Sequence, residues 1–181
     1  MSWLPTLVTA APATEPVSRA EAKLHCRVDG TDSDGEIDAM IATARTLIEE
    51  YTGTKLVSQT VAMRCSSFCD LVDLPVAPVI SISSIAYLDS DGASQTLSAD
   101  VYEGVLIGLE PHIRLKINQS WPSVRPASNA ITVTAVVGYA PVPAPIVHAI
   151  KLTLSALYDN REGASIPQAA MDILNTNYRR F

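Results

Sequence analysis

Apolar residues recur at three- and four-residue intervals from Ile37 through Met40, Ile41, Ala44, Leu47 and Ile48 to Tyr51, the signature of one buried helical face sustained over four turns. Asp32, Asp34 and Glu36 put negative charge where a helix dipole favours it, and Ser33 with Glu36 predicts a capping box at its start. Gly53 stands where a left-handed C-terminal cap belongs. Upstream, Ser18 and Glu21 predict another capping box, followed by Ala20, Leu24 and Val28 as the apolar edge of a short helix. Helical period returns at Pro145, a residue suited to a first turn. Ile146, Val147, Ile150, Leu154, Leu157 and Tyr158 then form a stripe, widened by Ala149, Thr153 and Ala156, which predicts packing on the Ile37–Tyr51 helix. Gly163 is expected to end that helix. Pro167 opens a short last one with Ala170, Ile173 and Leu174 inward, ending near Asn175.

Between the helical stretches the period is two. Val57, Gln59, Val61, Met63 and Cys65 alternate with their neighbours as a half-buried strand does. Further strands are predicted at 71–74, 79–88, 95–97, 113–117 and 131–139, with Asp91-Gly92 as a hairpin turn and Pro75, Pro78, Pro122 and Pro126 as punctuation. The fold class that follows is α+β. Its helical core comprises residues 17–54 and 143–175, two long helices with short flanking ones, and an antiparallel β subdomain is inserted at 55–140. Residues 1–16, rich in Pro, Ala and Thr, read as an N-terminal arm, and 176–181 as a C-terminal tail.

Composition narrows the function. At 181 residues, 48% hydrophobic and 18% charged, the chain is globular and long enough to bury a core. A net charge of −6 argues against gripping nucleic acid by neutralising phosphates, though not against a surface past which DNA slides. Met1-Ser2-Trp3-Leu4-Pro5 lacks a basic leader, and no stretch approaches the ~20 apolar residues that span a bilayer, so no membrane role is expected. Cys26, Cys65 and Cys69 are an odd number without a paired framework, as expected of reduced thiols in the cytoplasm where the protein is made.

No motif points to chemistry. Aligning Gly35 with the obligatory glycine of a calcium loop puts Gly30 and Ile41 at ligand positions, and Asp89-x-Asp91-Gly92 fails in the same way at Tyr87 and Ser98. Cys65 and Cys69 lack the spacing of a zinc knuckle, and His25, His112 and His148 are scattered singly. Glu49 and Glu50 are adjacent on what reads as the polar side of a helix and do not face each other. Catalytic residues, metal and cofactor are all expected to be absent. Tyr178-Arg179-Arg180-Phe181, by contrast, has the composition of an interface anchor.

Several short segments, taken in order, carry a resemblance. They are Pro16-Val17-Ser18 with Ala20-Glu21-Ala22, Glu50-Tyr51-Thr52-Gly53, Gly138-Tyr139, Val142-Pro143-Ala144-Pro145-Ile146 and Tyr158-Asp159-Asn160-Arg161-Glu162. In this order and spacing they resemble the head–tail connector (adaptor) family of long-tailed bacteriophages and gene transfer agents. The resemblance implies a structural virion protein at the head–tail interface, not an enzyme. It implies a ring of about twelve copies, joined head to tail beneath the portal protein. Such a ring extends the channel through which duplex DNA passes without specific binding, and it offers a platform to a tail-side protein. Because C-terminal segments of the family reach toward the portal, Tyr178, Arg179, Arg180 and Phe181 are the expected portal contact, projecting from the core. Two alternatives stand beside this reading. One is a small hydrolase or ligand-binding protein with a cleft between the β insert and the helices; the other is a neighbouring head-completion or tail-terminator protein.

Overall fold

Ser18 opens the first helix through a complete capping box: its hydroxyl accepts from the Glu21 amide, and the Glu21 carboxylate accepts from the Ser18 amide at 3.1 Å. In the computed structural model, which describes residues 3–160 and 165–180, the chain divides into two compact units. One is Pro12–Val57 with Tyr139–Phe181; the other is Met1–Ala11 with Ser58–Gly138. The fold is mixed α+β, with four helices and a five-stranded antiparallel sheet among the described residues. No helix among them is long and apolar enough to cross a membrane.

The first unit is helical: α1 (Arg19–Cys26), α2 (Asp34–Thr52), α3 (Ala144–Asp159) and α4 (Gln168–Asn177). Ile37, Ile41, Ala44 and Ile48 of α2 are buried with Ile146, Ile150 and Leu154 of α3 and with Ala170 and Leu174 of α4 in one apolar core. The predicted faces of the two long helices are those observed. Gly53 takes the left-handed cap at φ 66°, and Pro145 sits in the first turn of α3. Two expectations are corrected. Ser33 makes no side-chain cap; the charge at the start of α2 is held instead by Lys23, whose ammonium donates to Asp34 at 2.7 Å. The face of α1 is also rotated: Ala22 is fully buried, whereas Ala20 is exposed and Leu24 is 81% exposed. A small alanine lets α1 lie close against α2 and α3, which a leucine at that position would prevent.

The second unit is a sheet in the order β1-β2-β7-β3-β4, with a β5–β6 hairpin. The strands are β1 (Leu7–Ala10), β2 (Gln59–Cys65), β3 (Val79–Leu88), β4 (Ser94–Thr96), β5 (Tyr102–Val105), β6 (His112–Leu115) and β7 (Ile131–Val137). Residues 7–10, expected to lie in an arm, pair antiparallel with β2, and β5 is a strand that the sequence pattern had not predicted. The expected strand at 71–74 is absent. Phe68–Val72 instead forms a 3-10 turn, capped by the Ser67 hydroxyl accepting from the Cys69 amide at 3.2 Å. Asp91-Gly92 does turn a hairpin, between β3 and β4, with Gly92 at φ 85°.

Alternation gives the sheet two unlike faces. Val61, Met63, Cys65, Ile85, Ile131, Val133 and Val137 point inward to a core closed by Phe68, Leu71, Ile113 and the stacked pair Phe68–Trp121. Residues directly opposite in a ladder share a face, so the other side reads in rows. Leu7, Ala62, Thr134 and Ser84 form one row; Thr60, Val136 and Ser81 form another; Arg64, Thr132 and Ala86 form a third. These residues belong to neither apolar core.

Candidate functional site

The resemblance residues Tyr51, Gly53 and Tyr139 converge, in the helical unit, on the C-terminal end of the chain. Tyr51, at the end of α2, donates from its hydroxyl to Asn175 Oδ1 at 2.9 Å. Arg179 lies over the Tyr51 ring, 4.5 Å from guanidinium carbon to centroid, and its Nη1 donates to the Tyr51 hydroxyl and to Asn175, each at 3.3 Å. The Arg180 amide donates to the Thr52 carbonyl at 2.8 Å, so the backbone of the last residues satisfies the frayed end of α2. Tyr178 meets Tyr139 edge-on at a ring separation of 6.4 Å, and burial beside Tyr178 pushes the Tyr139 phenol upward. The expected projection of Tyr178, Arg179 and Arg180 is therefore corrected: all three are half-buried against their own unit. Phe181 lies outside the described residues.

The remaining resemblance residues have local roles. Glu21 closes the capping box with Ser18 and accepts from Lys151 Nζ at 3.1 Å, tying α1 to α3. The Ser18 backbone and hydroxyl, then Lys151, lower its carboxyl to about 2. Pro16 is half-buried, Pro143 precedes α3, and Tyr158 and Asn160 lie at its end, where the Asn160 amide donates to the Ala156 carbonyl at 3.0 Å. Gly138 uses a φ of 100°, and its amide donates to the Pro78 carbonyl at 2.9 Å. Arg161, Glu162 and Gly163 lie outside the described residues.

One residue was misread from sequence. Glu49 is 5% exposed, not on a polar side, and its carboxylate accepts from Lys55 Nζ at 2.9 Å and the Leu56 amide at 3.1 Å, with Arg45 at 3.5 Å. The Arg45–Glu49 spacing of four was the available signal. Glu49 fixes the turn that leaves α2, next to the residues that receive the C-terminus.

Nothing here assembles into a reacting centre. No group of three metal-ligating side chains occurs among the described residues. The Asp89 carboxylate is occupied by the Ala93 amide at 2.9 Å and Gln95 at 2.9 Å, bonds that close the hairpin. Asp70 is buried with one oxygen unpartnered, but its titratable neighbour Cys65 is pushed up to about 12 by burial, too high for a nucleophile. His25 and His148 are exposed on separate helices.

Residues 20–114, more than half the chain, match the family described as phage gp6-like head–tail connector protein. The fold is similar to that of a chain in the neck of an empty gene transfer agent particle computed with C6 symmetry, with a TM-score of 0.82. It is likewise similar to chains in the virion of a native gene transfer agent particle (TM-score 0.80) and in the neck of the native particle computed with C12 symmetry (TM-score 0.72). In each case the identity is 18%, and the alignment covers 98% of this chain and 97% of the other. No curated protein matches. Matched by the family over more than half of its own length, this chain belongs to the phage gp6-like head–tail connector family, and its role is that of a structural connector.

Proposed function

We propose that copies of this chain close into a ring of about twelve beneath the portal, extend the DNA channel and present the surface on which a tail-side protein docks. The observation that carries this reading is the full-length likeness of fold to chains from gene transfer agent necks computed with C6 and C12 symmetry. Identical copies around an axis meet through two different surfaces, so each copy needs one of each. The net charge of −6 suits a wall that DNA passes without its phosphates being held. The portal contact in this proposal is the C-terminal end. Tyr178, Arg179 and Arg180, ordered against Tyr139, Tyr51 and Thr52, lose little further freedom on docking and place aromatic and cationic side chains at the contact.

Deleting the gene from the producing phage or agent tests the role. DNA-filled heads without attached tails are expected, and tailed particles at the normal yield would sink it. Complementation with Arg180→Glu tests the portal contact, because the backbone bond from Arg180 to Thr52 survives the substitution. Tailless heads are again expected; restored tails would move the portal contact away from the C-terminal end.

A further inference from the structure

Two surfaces of the β unit are complementary, and neither is used within it. The outer sheet face has Thr134 and Val136, uncharged, partly exposed and outside both apolar cores, beside a buried Ala62. Arg64, exposed on the same face, is its one charged side chain among the described residues and has no side-chain partner there. A solvated antiparallel face usually carries several charges, so a hydroxyl-rich one with a single cation is suited to being covered. The second surface is the β5–β6 tip. Ile107 is 86% exposed there, beside Gly108 at φ 74°, and the exposed Glu110 has no side-chain partner among the described residues.

The hairpin packs on the inner face, where Ile113 is buried and a Cβ at Gly104 would lie 3.6 Å from Ile82. Its tip therefore cannot reach the outer face of its own sheet. Two matching surfaces that cannot meet within one chain are what a closed ring of identical copies requires.

We infer that, in the ring, the β5–β6 tip of one copy seats on the outer sheet face of the next. Ile107 packs on the partly exposed Thr134 and Val136, and the Glu110 carboxylate pairs with the exposed Arg64 guanidinium. The inference rests on the ring proposed above. A lone cation meeting a lone anion fixes the register of the contact, and it provides local attraction between copies that otherwise repel through their net negative charge.

The test uses the full chain with the portal protein of the same phage or agent, and compares wild type with Arg64→Glu, Glu110→Arg and the double reversal. Each single reversal should lower the fraction in portal-bound rings about tenfold or more while leaving the melting temperature unchanged, and the double should recover most of it. Ile107→Asp should disrupt the rings without a partner that rescues it. Singles that assemble like wild type, or a double no better than its parents, overturn the contact while leaving the ring intact. Singles that form rings but fail only to capture a tail-side protein overturn it too, and assign the face to that protein. Wild type that stays monomeric with the portal overturns the ring reading itself, and this contact with it.

Discussion

A carboxylate buried inside a helical unit needs its lone pairs met, and Glu49 meets them with Lys55, Arg45 and the Leu56 amide. Glu49→Ala leaves a buried amide and two cations without it, so a loss of about 2 kcal/mol is expected, read as a lower melting temperature. Glu21 gives the pH test. Its folded value of about 2 lies below its ordinary 4.5, so its bonds stabilise the fold above pH 4.5 and are lost as pH falls through about 2. The melting temperatures of wild type and Glu21→Gln should converge over that window; a gap that persists at its acid end would show that Ser18 and Lys151 do not hold the carboxylate. At the C-terminus, a chain ending at Asn177 loses the Arg179–Tyr51 stacking and the Arg180–Thr52 bond and should melt several degrees lower. An unchanged melt would mean that the last residues do not dock.

Among the elements, α2 and α3 were legible because a stripe of seven or six apolar residues leaves one way to bury them. Ile41→Asp or Leu154→Asp should unfold the helical unit, since each side chain is at most 2% exposed and an unpaired charge there costs several kcal/mol, on the order of the total stability. Circular dichroism with wild-type helicity in either variant would refute the pairing of these two helices. The alternation behind β2 and β7 was equally plain. What escaped reading was short or held from far away. Leu7–Ala10 has four residues among prolines, and its partner β2 lies some fifty positions on. Tyr102–Val105 contains a glycine, and Leu71–Leu74, interrupted by Asp73, is too short to separate a strand from a turn. The site was half legible: the resemblance residues Tyr51, Gly53 and Tyr139 were named, but their convergence on Tyr178 and Arg179 is a tertiary contact without any periodic signal.

For the whole molecule, charge sets the first expectation. A channel wall drawn from a chain of net charge −6 should not retain duplex DNA, and mobility-shift assays at low salt are expected to show none. Tight, salt-sensitive binding would contradict a passive channel. Family membership fixes the connector role; the ring proposed above would give that role a shape, with one copy's tip on the next copy's sheet and the C-terminal ends toward the portal. The most direct measurement is electron imaging of the purified chain mixed with the portal protein of the same phage or agent. A ring of about twelve subunits coaxial with each portal is the expected result. Bare portals among monomers would contradict it.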